Sequence, residues 1–254
     1  MLSAIRSEFR KLLSIRSTYI LTILGMLLVG GLLCFYAQGY RADTRLQNAH
    51  NLEGIALLSV TFISIITGVV ALLLVTHEYR YNTIIYTLTS SRSRTRSLLA
   101  KGIVIACYTM LVGGVMMVLG PLLTKLGIAL QGEELVPQTI DYWNIAWRSL
   151  FYSFGNGMAA FIMAFIIRNQ IGAIVTYFIA AGTIEELLTL VLKDNSKYLP
   201  FRALNEVVNF SAQTGMPVDH IGKLSIGENA LIFTAYMVIG MIVAWLLFKR
   251  RDAN

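Results

Sequence analysis

The chain has 254 residues, of which 56% are hydrophobic and only 14% are charged, and its mean hydropathy is +0.65. A soluble domain is usually about 45–50% apolar and about 25% charged, so this composition excludes an ordinary soluble fold. The formal net charge of +7 lies mainly in short segments between apolar runs. That placement indicates membrane topology rather than a surface for nucleic acid.

Six apolar stretches have about the 20 residues needed to cross the ~30 Å hydrocarbon core of a bilayer. Backbone groups in lipid must find partners within their own segment, so each stretch is predicted to be helical. We therefore predict an all-α polytopic membrane protein, whose six-helix transmembrane bundle occupies residues 19–248. The predicted spans are 19–38, 54–76, 102–124, 145–167, 171–192 and 229–248.

Two features refine these spans. The first apolar run ends in Cys34-Phe35-Tyr36-Ala37-Gln38, which lacks a small-x-small cleavage pattern and predicts an uncleaved first span. Spans four and five are separated only by Arg168, Asn169 and Gln170, which predicts a tight hairpin.

The distribution of Lys and Arg predicts the orientation, because cytoplasmic loops carry an excess of these residues. With both chain ends in the cytoplasm, most basic residues fall on the cytoplasmic side, where the acids are Glu8, Glu78 and Asp252. Tyr142 and Trp143 then form part of an aromatic anchor at the outer boundary. The expected location is the cytoplasmic (plasma) membrane.

The segment before the first span, residues 1–18, has apolar residues at helical spacing. They are Leu2, Ile5, Phe9, Leu12 and Leu13. This pattern favours an amphipathic helix lying in the membrane interface, with its basic residues near anionic lipid headgroups. The alternative is a disordered basic tail that only sets topology.

The loop 193–227 is too apolar for a plain linker. We expect it to be extracellular or re-entrant, with a short amphipathic helix after Pro200. Within span four, the pairs Ser153/Gly157 and Ala160/Ala164 permit close helix packing, either inside one bundle or between subunits.

The loop 77–101, predicted to be cytoplasmic, has the most specific pattern in the chain. Glu78, Tyr79 and Arg80 leave the membrane together, and Asn82 or Thr83 can cap a short helix. The apolar residues of that helix share one face; they are Ile84, Ile85 and Leu88. A short capped helix with an exposed apolar face suits a groove on a partner protein. The alternative is a positively charged loop that only fixes topology.

This loop resembles the coupling segment of permease subunits in type-2 ATP-binding-cassette (ABC) exporters. The family pattern runs Glu, aromatic, Arg, any residue, Gly or Asn, Thr and an apolar residue, and later Arg and Ala-Lys. The chain matches it at Glu78, Tyr79, Arg80, Asn82, Thr83, Ile84, Arg92, Ala100 and Lys101. The Leu199-Pro200-Phe201 stretch is similar to the re-entrant region of the same family.

The resemblance implies that the loop is a coupling helix seated in a cleft of an ABC ATP-binding subunit. It also implies a homodimer or heterodimer of permease chains, with ATP and Mg bound by the ATPase. This chain would bind no cofactor itself, and it contains no Gly-x-x-x-x-Gly-Lys-[Ser/Thr] motif. The implied coupling residues are Glu78, Tyr79, Arg80, Asn82, Thr83, Ile84, Ile85 and Leu88.

Glu185 and Glu186 lie within span five, where ionisable groups indicate a functional role. A gate or substrate path and a plain interfacial pair are both open. An intramembrane protease that uses such a pair would need Arg where Leu190 stands and later intramembrane histidines, whereas His220 is in a loop. The alternative function is thus a membrane enzyme or scaffold without ATPase coupling. The transported substrate has no signature in the sequence.

Overall fold

The computed structural model describes residues 1–39, 49–81, 94–130, 141–208 and 224–250. This part of the chain is helical and contains no strand. These described residues form nine α-helices, which are α1 Leu2–Ser14, α2 Arg16–Gly39, α3 Ala49–Arg80, α4 Arg94–Ala129, α5 Tyr142–Ile167, α6 Gln170–Phe178, α7 Glu185–Leu192, α8 Pro200–Val208 and α9 Ile226–Arg250. They also form a π-helical segment at Ile179–Ile184 and a 3-10 helix at Lys193–Tyr198.

Six helical segments among the described residues are long and apolar enough to cross a membrane, as predicted. They are α2, α3, α4, α5, the continuous run from α6 to the 3-10 helix, and α9. The all-α, multi-pass architecture is therefore confirmed. The sixth span packs mainly against α8 and α5.

Helix α3 is the centre of the bundle, because it packs against α2, α4, α5 and α6. It has 32 residues and α4 has 36, so their lengths are about 48 Å and about 54 Å. Both exceed the ~30 Å hydrocarbon core, so their ends extend beyond it. The last turn of α3 therefore continues as helix through the first residues of the segment 77–101.

Close helix approach depends on small and polar residues along α5. Ser153 Oγ lies 3.1 Å from Ser64 Oγ of α3, and both side chains are buried. A Cβ placed on Gly157 would meet Thr109 of α4. The small residues predicted to permit close packing thus do so inside this bundle.

The predicted amphipathic helix before the first span is present as α1, and one side of it packs against the bundle. Ile5 and Phe9 pack against the apolar core formed by α2, α3 and α4, and Leu12 is buried in it. Arg6 and Arg10 are exposed. Ile5, Phe9 and Leu12 of the predicted apolar stripe therefore face protein, whereas Leu2 and Leu13 are exposed.

The predicted hairpin between spans four and five is present and very short. Arg168 ends α5 in the left-handed conformation (φ 59°), and its N–H donates to Ala164 O at 3.0 Å. Asn169 then caps α6 by accepting the Gly172 N–H at 3.0 Å. The predicted helix after Pro200 is also present, as α8.

A candidate coupling site at the end of helix α3

The coupling residues predicted from the sequence begin in the last turn of α3. Glu78, Tyr79 and Arg80 are consecutive, so their side chains leave the helix about 100° apart. Each one contacts a different part of the bundle.

Glu78 is buried and forms ion pairs with two lysines. Its Oε1 atom lies 2.5 Å from Lys101 Nζ, in the second turn of α4, and 3.0 Å from Lys11 Nζ of α1. Only 8% of Glu78 and 6% of Lys101 is exposed. The end of α3 is thus fixed to both α1 and α4 by buried charge.

Glu8 of α1 completes the arrangement. Its carboxylate lies 2.9 Å from Lys11 Nζ and 2.8 Å from Lys101 Nζ. The four side chains, here called the ion-pair quartet, are Glu8, Lys11, Glu78 and Lys101. The quartet has two acids and two bases, so the charges of these four side chains balance.

The quartet fixes the relative positions of α1, α3 and α4 more than it increases the free energy of unfolding. Desolvation of buried ions can cancel their mutual attraction, but leaving one ion unpaired costs about 3–5 kcal/mol. Burial alone would lower the pKa of Lys11, yet the carboxylates of Glu78 and Glu8 outweigh burial and raise that pKa. Lys11 therefore stays charged at all pH values below its usual range, and α1 stays attached to the end of α3.

Tyr79 contacts the hairpin between α5 and α6. Its ring meets Phe165 edge-on, with the centroids 6.3 Å apart and the planes at 87°. The guanidinium of Arg168 lies over the same ring, 5.0 Å from its centroid. Such cation–π contacts strengthen when they are desolvated, and Tyr79 is half-buried.

Arg80 contacts the start of span five. Its Nη1 atom donates to Gln170 Oε1 at 3.0 Å, and the guanidinium lies 5.6 Å from the ring centroid of Tyr81. Three successive residues of α3 thus bind α1 and α4, the α5–α6 hairpin, and the start of α6. The remaining predicted coupling residues, Asn82, Thr83, Ile84, Ile85 and Leu88, lie outside the described residues.

A comparison with known families places this geometry in context. The sequence profile of the family described as ABC-2 family transporter protein matches residues 4–182, well over half of the chain. The chain belongs to this family. A search of curated proteins found no relative of it.

The part of this ABC-2 transporter that matches the family includes the whole quartet and the α5–α6 hairpin. The family assignment confirms the resemblance drawn from the loop sequence, and it makes the chain the membrane component of a transport system. Three quartet members were not predicted as site residues, namely Glu8, Lys11 and Lys101. Two signals were present in the sequence: Lys101 belongs to the Ala-Lys of the family pattern, and Glu8 and Glu78 are rare acids on a cytoplasmic side that is otherwise strongly basic.

Glu185 of the ABC-2 transporter lies three residues beyond the matched region and caps α8. Its two carboxylate oxygens accept the backbone N–H groups of Phe201 at 2.9 Å and of Arg202 at 2.6 Å. The first N–H groups of a helix have no partner within it, so a carboxylate there stabilises α8. Glu186, by contrast, is exposed.

The adjacent glutamates therefore have different surroundings. Glu185 begins α7 immediately after the π-helical segment Ile179–Ile184, whose wider turn changes the direction of the side chains that follow. In this structure Glu185 positions a helix. A role of either glutamate in a gate or substrate path stays a prediction.

Proposed function

We propose that this ABC-2 transporter protein is the permease subunit of an ABC exporter and that the end of α3 transmits the motion of a separate ATPase to the spans. The observation that carries the proposal is the set of contacts made by Glu78, Tyr79 and Arg80. A displacement of α3 at this point acts on α1, α4, α5 and α6 together.

The position of the end of α3 supports this role. The segment 82–93 directly follows it and joins it to α4. A partner protein that binds this segment would push on both α3 and α4 at the point where the quartet joins them. Buried ion pairs and a packed hairpin resist separation, so such a push would move the helices as a unit rather than bend one of them.

ATP binding is assigned to a partner chain, because this sequence has no phosphate-binding loop. An ABC ATP-binding subunit and a second permease chain, identical or different, would complete the transporter. Helix α1 and the last turns of α9 lie at the end of the bundle that contains Glu78, since Lys11 pairs with Glu78 and Trp245 of α9 donates to Thr95 of α4 there. Under the positive-inside rule this end faces the cytoplasm, in the plasma membrane.

The test is co-purification of the tagged chain in mild detergent, followed by measurement of ATP hydrolysis. The wild type should bring down an ABC ATP-binding protein. Ile84→Asp should lose that protein, because a charge on the apolar face of the coupling helix opposes docking, whereas Ile84→Val should retain it. If a well-folded wild type captures no ATPase even after cross-linking, the coupling proposal is wrong.

The Glu78→Gln variant distinguishes docking of the ATPase from transmission of its motion to the spans. It leaves the segment 82–93 unchanged but removes the negative charge that pairs with Lys101 and Lys11. We expect the Glu78→Gln variant to keep the ATPase bound. We expect it to change the effect that the membrane subunit has on the rate of ATP hydrolysis. Loss of ATPase binding equal to that in Ile84→Asp, with the fold intact, would show that Glu78 acts in docking instead.

A further inference from the structure

A cavity of about 190 Å³ lies between α3, α4 and α5, at the end of the bundle opposite Glu78. Its walls are mostly apolar, formed by Ala56, Met117, Val118, Leu122 and Ile145. Val118 and Leu122 are about half exposed, so the cavity opens toward the lipid that surrounds the bundle. Its volume suits a segment of one acyl chain.

Pro121 lies inside α4 and lines the cavity. Proline has no N–H to donate to the residue four positions earlier, which is Met117, another residue of the cavity wall. The Met117 carbonyl therefore lacks the helical N–H partner that a different residue at position 121 would supply.

Lys125 places a positive charge one turn beyond Pro121, and it also lines the cavity. Lys125 and Lys101 are 24 positions apart on α4, which is about 36 Å along the helix. Since Lys101 is at the opposite membrane surface, Lys125 is at headgroup level. Met117 lies about 12 Å deeper, within the depth of the acyl chains.

Lys125 is exposed, and no hydrogen bond or ion pair joins it to another residue in the described parts of the chain. Tyr142, which is 72% exposed, lines the same mouth with an amphipathic ring typical of the membrane interface. A cation and a phenol at headgroup level above an apolar cavity match one chemistry: a negatively charged phosphate attached to an acyl chain.

We propose that this cavity is a binding site for one anionic phospholipid from the adjacent leaflet, with an acyl chain beside Met117 and Val118 and the phosphate on Lys125. In the predicted orientation this is the outer leaflet. The site lies at the other end of α4 from the quartet, so its lining shares no residue with the proposed coupling site.

The test is native mass spectrometry of the purified full chain in detergent, with dioleoyl phosphatidylglycerol or dioleoyl phosphatidylcholine added. The wild type should bind a first phosphatidylglycerol about tenfold more tightly than phosphatidylcholine, because the trimethylammonium group of phosphatidylcholine cancels the phosphate charge and repels Lys125. Lys125→Ala should remove that preference, whereas Lys125→Arg should keep it. Equal first-site affinity for the two lipids in the wild type would overturn the proposal.

A second pair of variants tests the cavity itself. Val118→Trp fills the cavity and should weaken the first binding event for both lipids at least tenfold. Leu111→Trp adds the same ring to an exposed position of α4 outside the cavity, and it should leave binding unchanged. Unchanged binding in a folded Val118→Trp protein would show that the lipid binds elsewhere.

Discussion

At the scale of single residues, the position of Glu78 decides how the end of α3 can act. Sequence patterns identify Glu78 as important, since topology alone does not need an acid in a basic loop. They do not identify its partners, because Glu8 and Lys11 come from a helix 67 or more positions earlier in the chain. Only tertiary packing brings these side chains together, so the ion-pair quartet could not be predicted.

A double-mutant cycle tests the quartet through its charge balance. Glu78→Gln leaves one acid opposite two lysines and should lower the free energy of unfolding by about 2 kcal/mol. Adding Lys11→Gln restores neutrality and keeps the 2.8 Å pair between Glu8 and Lys101, so part of the loss should return. Thermal unfolding in detergent measures this, and simple additivity of the two changes would contradict the quartet.

Tyr79 allows a second residue-scale test. Tyr79→Phe keeps a ring beneath Arg168 and against Phe165, whereas Tyr79→Leu removes the cation–π contact. We expect Tyr79→Phe to be nearly neutral and Tyr79→Leu to lower the free energy of unfolding by about 1–2 kcal/mol. Equal unfolding temperatures for the two variants would mean that the ring contributes no specific contact.

At the scale of elements, periodicity and length predicted the helices well. The six spans, the tight hairpin at Arg168 and the helix after Pro200 are all present. Two features were not predictable. Helix α3 continues to Arg80 because its last turn is held by α1, α4 and α6. The π-helical segment before Glu185 has no compositional signature.

The contact between Glu185 and α8 yields an element-scale prediction. Glu185→Ala removes the acceptors of the Phe201 and Arg202 N–H groups, so the first turn of α8 should fray. Hydrogen–deuterium exchange of a peptide covering 200–208 should then increase severalfold. Glu186→Ala is the matched control and should leave this peptide unchanged; increased exchange in both variants would show that Glu185 has no capping role.

At the scale of the whole molecule, the two ends of the bundle have different chemistry. One end concentrates charge in the ion-pair quartet, next to the segment 82–93, while the other has α8 and the cavity near Lys125. Helix α3 connects the two ends and contacts most of the other spans. This architecture suits a protein in which an input at one end is transmitted to the other.

The central claim is that motion enters at the end of α3 and reaches the opposite end of the bundle. The most direct measurement is hydrogen–deuterium exchange of α8 in the complex with its ATPase, with and without ATP and vanadate. Trapping should change α8 exchange in the wild type but not in Glu78→Gln, although both complexes still bind ATP. The same change in both would contradict a role for the quartet in transmission.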